Sequence, residues 1–111
     1  YYQQNIDSML IFNTTFLVSD KVHGAWLKWV HEQHIPFMLE TAFFSKPQVA
    51  KILTNEEQEG TSFSVQFHVQ DMETLHIWNG KYGAVFQEQF SAQFGSEALF
   101  FTTILELISN S

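Results

Sequence analysis

The chain has 111 residues, the usual size of one domain, and its hydrophobic content of 45% predicts a folded core instead of intrinsic disorder. Twelve acidic residues stand against five basic ones, all of them lysines, and the net charge of −7 excludes nucleic-acid binding and disfavours an anionic membrane surface, since both need clustered cations. Cysteine is absent, which excludes disulfides, thiolate metal sites and cysteine nucleophiles and is compatible with the cytoplasmic location that we expect.

The chain opens with a polar, aperiodic stretch, residues 1–8, which we interpret as an extension that precedes a single domain over residues 9–111. Residues 9–18 are rich in β-branched and aromatic side chains and are therefore predicted to form a strand. Its even-numbered side chains are the more apolar set and should face the helices, whereas Asn13 and Thr15 should point away from them.

A helix is predicted over residues 21–35, because apolar residues recur there at helical spacing. Trp26 and Trp29 share its apolar face. These two indoles are either part of the core or a stacking platform for a planar ligand, and the spacing favours the core. Pro36 disfavours helical backbone at the residue before it, so the helix is predicted to end there.

The next two segments are predicted to form strands. Residues 43–53 contain Pro47, which cannot donate to a neighbouring strand, so this strand should lie at a sheet edge or carry a bulge. Residues 61–70 alternate without interruption between apolar and polar side chains, which is the clearest periodic signal in the chain. The polar face of this strand includes Ser64, Gln66 and His68.

A second helical region and a last strand complete the chain. Asp71 can cap this region, which is predicted as two helices over residues 72–78 and 82–93 because glycines interrupt it. Residues 98–108 have the composition of a fourth strand. On the sheet face away from the helices we place Phe100, Thr102 and Ile104.

The predicted order β-α-β-β-α-β is the arrangement of α+β proteins with the ferredoxin-like fold. Right-handed crossovers give an antiparallel sheet of strand order 4-1-3-2 with the helices on one face, and the strand with Pro47 then lies at an edge. The other face would combine large apolar groups with a central polar strip, so we expect it to pack against a second copy of the chain. Ile104→Lys should then dissociate or unfold this homodimer. The predicted ligand-binding residues line the gap between the two sheets: Asn13, Thr15, Ser64, Gln66, His68 and Thr102.

Four segments carry a family resemblance: the start MLIFNTTFLV, the helix end WLKWVHEQHIP, the strand EGTSFSVQF and the ending FGSEALFFTTILELI. In these segments the chain resembles an uncharacterised bacterial family of small ferredoxin-like proteins within the dimeric α+β barrel group. The resemblance implies two sheets packed face to face in a homodimer. The close family has no assigned activity, and where its members often carry a basic residue in the last strand this chain has Phe101, which puts an anionic ligand in doubt.

The larger group includes cofactor-free monooxygenases and haem-degrading enzymes. Haem-degrading members use an Asn, a Trp and a His, and the available residues of these types are Asn13, Trp78 and His76, although their spacing matches no motif. The candidates for a catalytic proton carrier are His34 and His68. His34 has an alternative role, a structural hydrogen bond at the helix end, which its position favours.

The HEQH segment places His31 and His34 three residues apart, which supplies only part of a metal-ligand set. We therefore expect no metal and no cofactor. The favoured hypothesis is a non-catalytic homodimer that binds a small, neutral or weakly polar ligand between its sheets. The alternative is a cofactor-independent monooxygenase or haem-degrading-like enzyme, and homodimerisation alone is the third possibility.

Overall fold

The computed structural model describes residues 9–54 and 60–108. The predicted extension at residues 1–8 lies outside the described residues, as do residues 55–59. The described part forms four strands and four α-helices: β1 (Leu10–Val18), α1 (His23–Trp29), α2 (Ile35–Glu40), β2 (Phe44–Lys51), β3 (Thr61–Val69), α3 (Met72–Trp78), α4 (Ala84–Phe94) and β4 (Ala98–Glu106).

The sheet is antiparallel throughout and has the order β2-β3-β1-β4, which confirms the predicted topology. Residues paired across antiparallel strands point to the same side, so the register defines two faces. The helix-facing side carries the even-numbered residues of β1 with the odd-numbered residues of β3. The opposite side, here called the open face, carries the odd-numbered residues of β1 with the even-numbered residues of β3.

Pro47 lies at the sheet edge, within a β-bulge. The register of β2 against β3 shifts between Ser45 and Gln48, and Lys46 has a φ of 51°. A bulge tolerates a residue that has no amide proton to donate, so the sequence prediction for this strand is confirmed.

Two π-helical turns join the α-helices in pairs. The first π turn, Val30–His34, connects α1 to α2, and the second π turn, Asn79–Gly83, connects α3 to α4. In the first, the Ile35 N–H donates to the Val30 carbonyl five residues earlier. The prediction that the helix ends before Pro36 is wrong, because this turn carries the helix onward and places Pro36 in the first turn of α2, where proline is tolerated.

The start of α3 and the end of α4 follow their sequence signals. The Asp71 side chain accepts hydrogen bonds from the backbone N–H of Thr74 at 2.8 Å and from the Thr74 hydroxyl at 2.7 Å. Both bonds stabilise the ionised carboxylate and lower the pKa of Asp71. Gly95 follows α4 with a φ of 56°, a backbone conformation that glycine adopts without a steric penalty.

An aromatic core fills the space between the helix-facing side of the sheet and the helices. Trp26 stacks on Phe63 with ring centroids 4.6 Å apart, and Trp29 stacks on His34 at 4.8 Å. Phe16 is fully buried and contacts both tryptophan rings. The interpretation of Trp26 and Trp29 as core residues is therefore confirmed.

The predicted orientation of β4 is wrong. Phe100, Thr102 and Ile104 pair with even-numbered residues of β1, so their side chains lie on the helix-facing side. Hydrophobic alternation identifies the buried face of a strand only when its other face is polar, and both faces of β4 are apolar. The side chains of β4 on the open face are Leu99, Phe101, Thr103 and Leu105.

Candidate functional site

A cavity of about 340 Å³ lies between the helix-facing side of β1 and β4 and the helices α3 and α4. Its inner wall is buried, whereas the mouth of the cavity is formed by the exposed lining residues, which are Met72, His76, Asn79, Gln87, Thr102 and Ile104. The lining residues are Phe12, Thr14, His34, Met72, Leu75, His76, Trp78, Asn79, Gly83, Phe86, Gln87, Phe100, Thr102 and Ile104.

His34 ends the first π turn and is only 5% exposed. Its ring contacts Phe16, Trp29, Phe67 and Phe86, with centroid separations between 4.8 and 6.3 Å. Burial lowers the pKa of the imidazole from 6.5 to about 4, because an apolar surrounding disfavours the charged form. The ring is therefore neutral at physiological pH.

Thr14 and His34 are the two buried polar side chains of the described residues, and both line the cavity. Neither has a hydrogen-bond partner within residues 9–54 and 60–108. The alternative role of His34, a structural hydrogen bond at the helix end, is therefore not supported in this part of the chain. Buried polar groups normally have partners, since leaving them unpaired costs free energy. Because both side chains line the cavity, its contents can supply these hydrogen bonds.

Both π turns contribute to the cavity wall. The first positions His34, and the second supplies Asn79 and Gly83. A Cβ on Gly83 would lie 2.4 Å from Asn79 Oδ1, so glycine leaves the space that the Asn79 amide occupies at the mouth. π-helical turns within α-helices are frequent at functional sites.

No Asp, Glu, Lys or Arg occurs among the described residues that line the cavity. An ion bound there would lose its hydration without gaining a counter-charge, so the lining favours an uncharged occupant. The Trp78 indole N–H is buried without a partner among these residues, but the same holds for Trp26, which does not line the cavity. The unpaired indole therefore does not distinguish the site.

The polar strip on the open face forms a chain of hydrogen bonds. Asn13 Nδ2 donates to Thr15 Oγ1 over 3.2 Å, and Ser64 Oγ donates to Asn13 Oδ1. Gln66 Nε2 in turn donates to Ser64 Oγ over 3.3 Å. The structure thus brings four of the predicted ligand-binding side chains together, but they are partners of one another.

The remaining candidates are divided between the two faces. His68 lies on the open face, opposite Ile11, as expected from the sequence. Thr102 lies on the helix-facing side, at the mouth of the cavity, so it is not adjacent to the polar strip. His34 and His68 are on opposite sides of the sheet and therefore belong to different sites within one chain.

The two residue sets compared with known chemistry are also separated. Trp78 and His76 line the cavity, but Asn13 points to the open face, so the set available for haem degradation does not converge.

The two histidines of the HEQH segment differ in exposure. His31 is exposed, with Nδ1 2.9 Å from the carbonyl oxygen four residues earlier, whereas His34 is buried. Within residues 9–54 and 60–108, no group of three His, Asp or Glu side chains is placed to hold a metal ion. None of the helices in these ranges combines the length and hydropathy that a bilayer span requires.

Sequence reasoning missed the helix-side cavity, although one signal was present. Thr14 is the polar member of the otherwise apolar face of β1, between Phe12 and Phe16. A polar residue at such a position indicates a local hydrogen-bonding requirement. Asn79 and Gly83 offered no comparable signal, because a π turn has no distinctive sequence pattern.

The sheet order, with paired helices covering one face, defines a ferredoxin-like α+β fold. The chain belongs to the family described as a domain of unknown function, DUF4286, whose profile matches residues 9–108. This match confirms the predicted membership of an uncharacterised family. No curated protein sequence matches the chain.

Three solved structures are similar to this chain. A dimeric ferredoxin-like protein from an uncultured marine organism aligns with a TM-score of 0.63 and 11% identity, over 94% of this chain and 98% of its own. An ethyl tert-butyl ether d (EthD) family protein from Bacillus halodurans aligns with a TM-score of 0.62 and 11% identity, over 86% of this chain and 95% of its own. A candidate antibiotic biosynthesis monooxygenase from Bacillus cereus aligns with a TM-score of 0.58 and 13% identity, over 93% of this chain and 96% of its own. At these identities the similarity establishes the fold alone.

Proposed function

We propose that this protein binds a small, uncharged and largely apolar molecule in the cavity between its sheet and its helices. One observation carries the proposal: the two buried polar side chains of the described part, Thr14 and His34, line this cavity and have no hydrogen-bond partner among the described residues. A ligand with a polar group would satisfy them while its apolar part covers the aromatic wall. The volume is at the small end of the range of about 300–1,000 Å³ typical of ligand pockets.

Equilibrium dialysis against naphthalene and naphthol tests this proposal. We expect at least one of these probes to bind with one molecule per chain. Thr102→Trp introduces a large side chain at the mouth of the cavity and should abolish binding. Gln89→Trp makes the same addition on an exposed part of α4 outside the cavity and should leave binding unchanged. Failure of both probes to bind, or equal binding by both variants, would contradict the proposal.

The binding site predicted between two sheets is a different site, and it stays a prediction. It requires a second copy of the chain, and the side chains of its polar strip already form hydrogen bonds with one another. The helix-side cavity is the better-supported location, because its buried polar groups have no partner among the described residues.

We also propose that the chain forms a homodimer through the open face. Leu99 and Phe101 are 60% and 63% exposed there, which is a large apolar surface for a monomer. The similar ferredoxin-like protein from a marine organism is dimeric, which supports the same arrangement here. A self-complementary patch closes with a two-fold axis and needs no other partner.

Light scattering at micromolar concentration should give about twice the chain mass. Phe101→Glu buries a carboxylate in the proposed interface and should halve this mass, since an unpaired buried charge is strongly unfavourable. Ile104→Lys, which the sequence predicts to dissociate or unfold the dimer, becomes the control, because Ile104 lies on the other side of the same strand. A dimer that Ile104→Lys dissociates and Phe101→Glu does not would contradict the proposed interface.

A cofactor-independent monooxygenase or haem-degrading-like enzyme is the second candidate. One observation favours the monooxygenase form: the neutral His34 imidazole lines the cavity, where its free ring nitrogen can accept a hydrogen bond from the hydroxyl group of a bound phenol and orient it. Its fold is shared with the candidate monooxygenase from Bacillus cereus. Incubation with naphthol in air should then consume dioxygen, and His34→Phe should stop this consumption. Absence of turnover with phenols and of a spectral shift with haem would leave binding as the function.

A further inference from the structure

We infer that the ligand of the helix-side cavity is an uncharged, planar aromatic molecule that carries a hydroxyl group. This inference rests on the proposed binding function and adds the chemical class of the ligand. Three features of the wall support it: its charge, its aromatic geometry and the hydrogen-bonding capacity of its two buried polar side chains.

The charge of the wall selects against ions. The described lining residues include no acidic side chain and no lysine, and the more deeply placed of the two lining histidines, His34, is neutral at physiological pH. A carboxylate would therefore be buried without a cation, and an ammonium group without an anion. The net charge of −7 on the whole chain further disfavours an anionic ligand.

The geometry of the wall favours a flat ring system. Phe86 is at its centre and packs against His34, Trp78 and Phe100, with centroid separations of 5.2, 6.5 and 5.3 Å. Phe12 extends this surface on the other side of Trp78, 5.5 Å from it. Aromatic rings gain energy from offset stacking and edge-to-face contact, so a planar aromatic ligand fits such a wall better than a branched aliphatic one.

The two buried hydrogen-bonding side chains of the wall, Thr14 and His34, favour a hydroxyl. A neutral imidazole has one N–H donor and one nitrogen acceptor, and the Thr14 hydroxyl also both donates and accepts. A ketone or ether oxygen can only accept and would leave the imidazole acceptor unpaired. A hydroxyl donates to that nitrogen and retains lone pairs to accept from a neighbouring O–H or N–H.

Three probes with the same ring system separate these requirements. Equilibrium dialysis compares naphthol, naphthalene and naphthoate, which differ only in a hydroxyl, a hydrogen or a carboxylate. We expect naphthol to bind about tenfold more tightly than naphthalene, the ratio expected for one additional buried hydrogen bond. Naphthoate should bind more weakly than either.

Variants of the wall identify the origin of the preference. His34→Phe keeps an aromatic ring but removes the acceptor, so the preference for naphthol over naphthalene should disappear while naphthalene affinity persists. His31→Phe makes the same change at an exposed histidine outside the cavity and should retain the preference. Retained naphthalene binding also reports that the variant is folded. Thr14→Val should reduce the preference and provides the second test if His34→Phe does not fold.

The outcomes distinguish this inference from the proposed function. If naphthol and naphthalene bind with equal affinity and Thr102→Trp abolishes the binding of both, the inference that the ligand carries a hydroxyl group is wrong. The proposal that the cavity binds a ligand then still stands. If naphthoate binds more tightly than naphthol, the inference that the ligand is uncharged is wrong. Binding of none of the three probes would overturn both the inference and the proposed function.

Discussion

The two faces of the sheet use polar side chains in opposite ways. Thr14 and Thr15 are neighbours of the same residue type on β1, yet Thr15 accepts a hydrogen bond from Asn13 on the open face, whereas Thr14 is buried on the helix-facing side without a described partner. The open face carries a central strip of polar groups that form hydrogen bonds with one another. On the helix-facing side, the two buried polar side chains of the described residues lie among aromatic rings. A few unpartnered polar groups in an apolar wall indicate a ligand site more strongly than a self-satisfied cluster does.

The largest expected difference between the faces is in stability. Phe16 is fully buried against the helices, so Phe16→Ala should lower the free energy of unfolding by about 3–5 kcal/mol. Leu17→Ala, one position along on the open face and 37% exposed in a single chain, should cost at most about 1 kcal/mol when both substitutions are made in the Phe101→Glu background, which keeps the open face unpaired. Urea denaturation of the two variants and the parent measures both values. Similar losses would mean that the two faces are buried to the same extent in solution.

The second difference is in the response to acid. The pKa of His34 is lowered from 6.5 to about 4 in the folded chain, so between these pH values the unfolded state binds the additional proton. The free energy of unfolding should therefore fall as the pH decreases through this window, by about 3 kcal/mol from this residue. Urea titrations at several pH values measure the slope.

Two variants isolate this contribution. His34→Phe removes the titrating group and should flatten the decline between pH 6.5 and 4. Gln33→Ala changes an exposed, non-titrating side chain of the same helical segment, leaves the His34 imidazole in place and should leave the slope close to that of the parent. An unchanged slope in His34→Phe would show that the imidazole is more accessible to water than the structure indicates.

The third difference is whether removal of a threonine hydroxyl raises or lowers the free energy of unfolding. Thr14→Val removes a buried hydroxyl without a protein partner and should raise the free energy of unfolding by up to about 1 kcal/mol in the absence of ligand. Thr15→Val removes the acceptor of the Asn13 hydrogen bond and should lower it by about 0.5–1.5 kcal/mol. Thermal unfolding of both variants tests this. Destabilisation by Thr14→Val would indicate that water in the cavity already satisfies the hydroxyl.

The smallest expected effect concerns the second π turn. Gly80 has open space where a Cβ would be, so Gly80→Ala should stabilise the helix by about 0.5–1 kcal/mol. Gly83→Ala would bring its Cβ against the Asn79 side chain and should lose this gain while displacing Asn79 from the cavity mouth. Thermal unfolding together with naphthol affinity measures both consequences. Equal stabilisation by the two changes would mean that Asn79 moves aside without cost.

The fold was predictable from the sequence because its strongest signals agree. The uninterrupted alternation in β3, the proline of β2 and the order of elements all require the same sheet. The orientation of β4 was not predictable from alternation, since Leu99 and Phe101 on one face are as apolar as Phe100 and Ile104 on the other. Pairing with β1 decides it, and this pairing is a property of the folded sheet.

The candidate site was only partly predictable. His34 was identified, but its position next to a proline indicated a helix end with a structural hydrogen bond, and the π turn that points its ring into the core left no clear mark in the sequence. The polar strip was found because alternation exposes it directly. Thr14 was assigned to the apolar face of β1, and the cavity beside it depends on how far α3 and α4 cover β4, which is determined by tertiary packing.

The first π turn has a consequence for how the chain tolerates changes in length. A π turn is an α-helix with one additional residue, and in a regular helix each residue advances the direction of the side chain by about 100°. Deletion of one residue among positions 30–33 would restore a regular α-helix and leave the hydrophobic composition nearly the same. The same deletion would rotate every later residue of the helix relative to α1, so that His34 and Met38 could no longer both face the core while Trp26 and Trp29 do. Single-residue deletions should therefore be far less acceptable in this turn than substitutions at its exposed positions, His31, Glu32 and Gln33.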